Sequence, residues 1–126
     1  MLLIDAANVI GSRPDGWWRD RPGAARAFVA GVRAAAVSGR LPGPVVVVLE
    51  GAARRGVGEG RADGVTVVHA RGSGDDRLVA EAAGADGVDG PVTLVTADRA
   101  LRQRVAASGA RSVGPGWLLE RLGGTD

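Results

Sequence analysis

Short, continuous apolar runs alternate with longer stretches of helical periodicity along this chain. Because the runs are rich in β-branched residues and do not alternate with polar positions, they predict strands that are buried on both faces. Each run ends at a charged, polar or glycine-containing segment, which marks the end of the strand. The predicted strands are Met1 to Ala6, Val45 to Leu49, Val65 to Ala70, Val92 to Thr96 and Ala110 to Val113.

Helices are predicted between the strands from capping residues and from apolar positions three or four apart. They cover about Pro22 to Ser38, a segment that starts at Ser73 to Asp76 and carries Leu78, Val79 and Ala82, a segment opened by Asp98 with Leu101 and Val105, and one or two turns from Pro115. Gly11 to Arg21 is predicted as a loop, and Gly51 to Gly64 as a flexible connection without regular structure.

The alternation of strands and helices predicts the α/β class, as a three-layer α/β/α sandwich with a central parallel sheet of about five strands. With 126 residues, the chain has the length of one domain, and we expect residues 1–126 to form it. Aromatic residues are only 3% of the chain, so the core should be aliphatic. The sequence contains no apolar run of transmembrane length, and its first residues lack the basic region followed by a long apolar stretch that is typical of a signal peptide, so we expect a cytoplasmic protein.

The inventory of reactive side chains excludes several kinds of enzyme. The 16 basic residues are all arginine, which argues against phosphate loops and Schiff-base enzymes that need a lysine. There is no cysteine, so disulfides and thiolate chemistry are excluded. His69 is the one histidine, which leaves little room for multi-histidine metal sites, and we expect it to be structural.

Acidic residues stand at the carboxyl ends of the predicted strands. Asp5, Glu50 and Asp98 follow three of them, and Asp75 and Asp76 begin the helix after another. The carboxyl ends of parallel strands share one edge of a sheet, where ligands bind in open α/β folds. Converging carboxylates repel one another, and a divalent cation such as Mg²⁺ or Mn²⁺ would relieve that repulsion.

Each acidic residue also has a purely structural interpretation. Asp5 and Asn8 could form a loop cap, Glu50 could be a solvated strand end, and Asp75, Asp76 and Asp98 are good helix starters. Capping does not explain why four separate strand ends each carry an acid. We therefore favour a metal site over four unrelated caps.

Four motifs together run across nearly the whole chain: Ile4 to Gly11, Val45 to Gly51, Gly74 to Asp76 and Val95 to Arg99. They resemble the motifs of NYN domains, the YacP-like branch of the PIN-like ribonuclease superfamily. The resemblance implies a sheet in the order 3-2-1-4-5 and Mg²⁺- or Mn²⁺-dependent hydrolysis of RNA phosphodiesters, with endoribonuclease activity expected. It further implies that Asp5, Asp76 and Asp98 are the metal ligands and that Glu50 and Asp75 complete the catalytic set.

Other residues near the predicted edge are candidates for contacts with RNA. Asn8 and Thr96 could orient a ligand or simply form turns, and Arg99 borders the predicted acidic site. Trp17 and Trp18 could stack on unpaired bases, with one ring facing inward and one exposed, whereas Trp117 is expected in the core. Further arginines could bind phosphate or be ordinary solvated side chains: Arg13, Arg19, Arg21, Arg54 and Arg55.

Two other functions are compatible with the same residues. The chain could be a phosphohydrolase of free nucleotides, since the same metal chemistry attacks small phosphate esters. It could also be a non-catalytic RNA-binding or interaction module. RNA is the expected partner, association with the ribosome or with another protein stays open, and no membrane contact is expected. Both a monomer and a homodimer are compatible with the sequence.

Overall fold

A six-stranded, mostly parallel sheet forms the centre of the computed structural model, which describes residues 1–84 and 90–123. The strands lie in the order β3-β4-β2-β1-β5-β6, so that β1 is central. Their bounds are β1 Leu2–Asp5, β2 Val45–Leu49, β3 Gly60–Ala62, β4 Val65–His69, β5 Thr93–Val95 and β6 Arg111–Val113.

Five of the six strands are parallel and correspond to the five predicted strands. Ile4 of β1 pairs with Val47 of β2 on one side and with Val95 of β5 on the other. When β3 is left out and the five remaining strands are renumbered in chain order, their order in the sheet is 3-2-1-4-5. This confirms the predicted order. The carboxyl ends of β1, β2, β4 and β5 therefore lie along one edge of the sheet.

The sixth strand, β3, was not predicted. It runs antiparallel to β4 at the edge of the sheet, with Ala62 paired to Val65. Asp63 and Gly64, between the two strands, have φ angles of 55° and 78°. Two consecutive positive φ angles are typical of a type I′ hairpin turn, for which Asp-Gly is a preferred sequence. The prediction of an irregular segment from Gly51 to Gly64 was therefore wrong.

In the described part of the chain, five α-helices cover the sheet, and two short 3-10 helices occupy segments predicted as loop or connection, Trp17–Arg19 and Gly51–Arg55. The α-helices are α1 Ala6–Gly11, α2 Arg21–Val37, α3 Gly74–Gly84, α4 Arg99–Ala106 and α5 Pro115–Arg121. Helix α1, which follows β1 directly, was not predicted as a helix. Within residues 1–84 and 90–123, no helix is long and apolar enough to cross a membrane.

The sheet separates two apolar clusters. Leu2, Ile4 and Val47 face the larger cluster beneath α1, α2 and α5, whereas Leu3 and Val48 face the smaller one beneath α3 and α4. Successive strand residues point to opposite faces, so an uninterrupted apolar run can supply both clusters. This packing holds the strands rigidly and fixes the positions of the residues at their carboxyl ends.

Candidate active site at the carboxyl edge of the sheet

Asp5 lies at the centre of the carboxyl edge, at the end of β1. Its side chain caps α1, because Oδ1 accepts a hydrogen bond from the backbone N–H of Asn8 at 3.3 Å. Its other oxygen, Oδ2, accepts a hydrogen bond from the hydroxyl of Thr96 at 2.9 Å. Asp5 is only 6% exposed, which is unusual for an aspartate that makes no ion pair among the described residues.

Thr96 joins the end of β5 to the rest of the edge. Its hydroxyl donates to Asp5 and accepts from the backbone N–H of Asp98 at 3.1 Å. Its carbonyl accepts two hydrogen bonds from the guanidinium of Arg102, at 2.9 Å from Nε and 2.6 Å from Nη2. The Asn8 side-chain oxygen accepts from the N–H of Ala97 at 2.9 Å. These bonds tie the loop after β5 to the loop after β1.

Glu50 and Asp98 approach the same edge from the ends of β2 and β5. Glu50 accepts a hydrogen bond from the backbone N–H of Gly74, the first residue of α3, at 2.9 Å. A Cβ at Gly74 would lie only 2.9 Å from the Glu50 carboxyl group, so glycine permits this close approach. Asp98 caps α4 through the N–H of Leu101 at 3.1 Å. Both carboxylates are held by backbone groups rather than by arginine.

The electrostatics of Asp5 show that these acids act on one another. The pKa of Asp5 is raised from 3.8 to about 6, mainly by burial and also by the negative charges of Asp75 and Glu50, which together outweigh the hydrogen bonds from Thr96 and Asn8. The pKa of Asp75 is also raised, first by burial and then by repulsion from Asp98 and Glu50. The two shifts link four carboxylates from four separate stretches of the chain, Asp5, Glu50, Asp75 and Asp98, while Arg104 and the adjacent Asp76 act on Asp75 more weakly and in opposite directions.

Asp76 points elsewhere. Its carboxylate accepts a hydrogen bond from Arg104 of α4 at 2.9 Å, and 76% of its side chain is exposed. Asp75 is only partly exposed and couples to the carboxylates of the edge. The structure thus brings together Asp5, Glu50, Asp75 and Asp98, whereas it places Asp76 in an ion pair on the outer surface.

The chemistry of these side chains suits a hard divalent cation, because all the donors are carboxylate oxygens that repel one another. Within residues 1–84 and 90–123, no three acidic or histidine side chains are already arranged closely enough to ligate one ion. The donor type and the mutual repulsion therefore fit Mg²⁺ or Mn²⁺, while the closed ligand geometry is not present in the structure.

The arginines predicted to contact RNA have different surroundings. Arg99, in the first turn of α4, is exposed and has no polar partner among the described residues. Arg13 is 4.0 Å from Asp15 in an exposed pair. Arg54 donates to the carbonyls of Gly51 and Ala70, which ties it to its own loop. Among these three arginines, Arg99 has no polar partner among the described residues and also follows Asp98 directly.

The three tryptophans follow the predicted division in part. Trp17 is half-buried and Trp18 is 52% exposed, and their rings meet edge to face with centroids 5.9 Å apart. This agrees with one ring facing inward and one facing solvent. Trp117 is half-buried against the larger cluster, with the Arg121 guanidinium 3.9 Å from its ring centroid.

His69 has a structural contact, as expected. Its ring Nε2 lies 2.7 Å from the carbonyl of Val57, so that nitrogen carries the proton and donates. Its backbone N–H donates to the Glu59 carboxylate at 2.7 Å. Both contacts hold the segment before β3 against β4.

Sequence reasoning missed two residues that support the site. Arg102 clamps the Thr96 carbonyl, and Gly74 holds Glu50. Arg102 stands four residues after Asp98, on the same face of α4, and this spacing was the available signal. Gly74 stands four residues before the buried Leu78, which also places it on the inward face of its helix.

Together, the fold and the edge define a class of protein: a three-layer α/β/α domain with carboxylates at the carboxyl edge of a mostly parallel sheet. Two crystal structures of Rae1 (YacP) from Bacillus subtilis are similar to this chain. One, of a W164L mutant, matches with a TM-score of 0.72 and 20% identity, and the other with 0.69 and 19%. Each match covers 98% of this chain and 74% of the Rae1 chain.

At this level of identity the likeness shows a shared fold, so the predicted resemblance to the YacP-like fold is confirmed. The other comparisons add nothing to this: no family model matches the chain, and no curated protein matches its sequence.

Proposed function

We propose that this protein is a ribonuclease that uses Mg²⁺ or Mn²⁺ at the carboxyl edge of its sheet. One observation carries the proposal: four carboxylates converge there, and the burial of Asp5, together with repulsion from Asp75 and Glu50, raises its pKa to about 6. A fold maintains such an arrangement against its own stability when the acids serve a function. RNA as the substrate is supported by the YacP-like motifs together with the shared fold.

The proposal assigns the metal-holding role to Asp5, Asp98 and Asp75, with Glu50 beside them. Asp75 replaces Asp76 of the sequence-based ligand set, because Asp76 is engaged by Arg104. A bound Mg²⁺ or Mn²⁺ would supply positive charge to the scissile phosphate and acidity to a coordinated water. Thr96 and Asn8 orient Asp5 and the loop that carries Asp98.

Arginines around the acidic edge would bind the phosphates that flank the scissile bond. Arg99 is the leading candidate, since it is exposed and follows Asp98 directly. Arg13 and the exposed ring of Trp18 lie in the segment after α1 and are proposed to contact the same strand farther along.

The test measures cleavage of a single-stranded RNA, internally labelled, with Mg²⁺, Mn²⁺ or EDTA. We expect cleavage with either metal, none in EDTA, and loss of cleavage in Asp5→Asn and Asp98→Asn. A circular RNA of the same sequence distinguishes endonucleolytic cleavage, because it has no ends. Single-stranded DNA of the same sequence measures the preference for ribose.

Other results would support the alternatives. Hydrolysis of nucleoside triphosphates without cleavage of RNA would indicate a nucleotide phosphohydrolase. RNA binding that persists in the unmutated protein without any metal-stimulated cleavage would indicate a non-catalytic module. Either result would contradict the proposed ribonuclease activity.

A further inference from the structure

An apolar groove of about 330 Å³ opens beside the acidic edge. Its walls come from α1, from the segment that begins α2 and from the end of β2, and they include Ala6, Ile10, Trp17, Arg21, Leu49 and Ala53. The volume is at the small end of the ~300–1,000 Å³ typical of ligand pockets. It suits one flat ring system and is too small for a base pair.

Trp17 provides the aromatic wall of this groove, and its neighbours hold it in place. The rings of Trp17 and Trp18 meet edge to face at an interplanar angle of 88°. The guanidinium of Arg21 lies 5.4 Å from the Trp17 ring centroid, within the range of a cation–π contact. The groove therefore presents an aromatic ring together with a positive charge.

Glu50 connects the groove to the acidic edge. It lines the groove together with Leu49 and Gly51, and its carboxylate accepts the hydrogen bond from Gly74 at the start of α3. Ala6, which follows Asp5 directly, also lines the groove. A ligand that fills the groove would therefore have its next covalent group near the carboxylates.

This combination fits a nucleotide better than other ligands. An aromatic wall stacks on any base, and a neighbouring arginine pairs with phosphate. An aliphatic chain would make no use of the aromatic face of Trp17 or of the positive charge of Arg21, which both line the groove. We propose that the groove binds one unpaired base of the RNA strand, next to the phosphate that is presented to Asp5, Glu50, Asp75 and Asp98. This inference rests on the proposed ribonuclease function.

The test measures RNA affinity in EDTA, so that cleavage does not interfere. Fluorescence anisotropy of a labelled single-stranded RNA of about ten nucleotides is followed for the unmutated protein and for Trp17→Leu. Leucine keeps an apolar side chain in the wall, although a smaller one, and removes the aromatic face. We expect affinity to fall about tenfold, the lower part of what one base–aromatic stack contributes. Trp17→Phe should recover most of the loss.

Trp117→Leu is the matched control, because Trp117 also stacks with an arginine but does not line the groove. It should change RNA affinity by less than about twofold. A second experiment uses RNAs in which a single nucleotide, at each position in turn, lacks its base. One abasic position should weaken binding to the unmutated protein and have no further effect on Trp17→Leu, since both changes remove the same stack.

The outcomes separate this inference from the proposed function. If RNA is bound and cleaved but Trp17→Leu behaves like Trp117→Leu, the groove is not the base site and the ribonuclease proposal stands. If a nucleoside monophosphate quenches Trp17 fluorescence and the oligonucleotide does not, the occupant is a free nucleotide and the inference is overturned. If the unmutated protein neither binds nor cleaves RNA, both proposals fail.

Discussion

The carboxyl edge of the sheet and the outer face of α3 and α4 use the same types of residue in opposite ways. On the outer face, Asp76 pairs with Arg104 and Glu81 pairs with Arg77, each at 2.9 Å. At the edge, Asp5 and Asp75 face other carboxylates, and burial together with repulsion raises the pKa of both. The acids along α3 and α4 are paired with arginines, whereas the acids at the edge, of which Asp5 is buried, face one another.

This difference shows where the folded state carries unfavourable electrostatic free energy. Exposed pairs such as Asp76–Arg104 contribute little, about 0–1 kcal/mol, because water and salt screen them. Buried like charges lower the stability of the folded state, and a bound cation would recover that loss. The experiments below test this contrast, beginning with the largest expected effect.

Two adjacent aspartates give the sharpest test of the comparison. Asp75→Asn should lower RNA cleavage at least about 1,000-fold, since loss of a metal-holding carboxylate should exceed the ~10–100-fold typical of residues that only support a ligand. Asp76→Asn should change it less than about threefold. Initial cleavage rates at saturating Mg²⁺ measure both. Equal losses in the two variants would contradict the assignment of Asp75 to the site.

Asp5→Asn should make the protein more stable at neutral pH while abolishing cleavage. A rise in the pKa of Asp5 from 3.8 to about 6 corresponds to roughly 3 kcal/mol. The folded state binds a proton more tightly than the unfolded state, so this penalty is absent below about pH 4 and develops as the pH rises through 6. Because asparagine still buries a polar group, we expect a gain of about 2 kcal/mol at pH 7.5.

Urea denaturation in EDTA between pH 4 and pH 8 measures this effect. The free energy of unfolding of Asp5→Asn minus that of the unmutated protein should be slightly negative near pH 4, where only the cost of burying asparagine remains, and should rise by roughly 2–3 kcal/mol to its maximum above pH 7. A difference that is constant with pH would show that Asp5 carries no raised pKa.

Gly74→Ala should disturb the position of Glu50 without breaking the fold. The added Cβ would lie 2.9 Å from the Glu50 carboxyl group, which must move away. We expect cleavage to fall about tenfold, corresponding to roughly 1.4 kcal/mol in the activation free energy. Gly84→Ala, at the other end of α3, is the control, because a Cβ there meets no described atom within 4 Å. The control should retain full activity and gain a few tenths of a kcal/mol in stability.

Arg104→Ala should have the smallest effect. It removes the exposed ion pair with Asp76, and we expect the free energy of unfolding to change by less than about 0.5 kcal/mol. Arg104 also lowers the pKa of Asp75, so its removal should raise that pKa further. NMR titration of the Asp75 side chain in EDTA would detect the change. A loss of stability above 1 kcal/mol would show that the outer face is not merely a screened surface.

The strands could be predicted because apolar runs are local and continuous. Two elements, helix α1 and strand β3, were not predicted, and the reasons are local. In Ala6–Gly11 the sequence offers apolar residues without a clear period, and only the Asp5 side chain bonded to the Asn8 N–H marks a helix start. Strand β3 is followed by the turn at Asp63-Gly64. The Asp-Gly sequence is a signal for such a turn, but it was interpreted as part of an irregular segment.

For the site, the convergence of acids follows from topology, since parallel strands place their carboxyl ends on one edge. The choice between Asp75 and Asp76 follows from the rotation of α3. Successive helical residues point about 100° apart. The packing of Leu78 and Ala82 against the sheet then decides which aspartate faces inward.

The sequence by itself determined the α/β class, the strand positions and the concentration of acids at one edge, because these depend on the apolar pattern and its periods. Only the tertiary structure decided the burial of Asp5, the outward turn of Asp76 and the formation of a groove between Trp17 and Leu49. These features arise from contacts between distant parts of the chain. Such contacts depend on how whole helices and strands pack, and no local pattern encodes them.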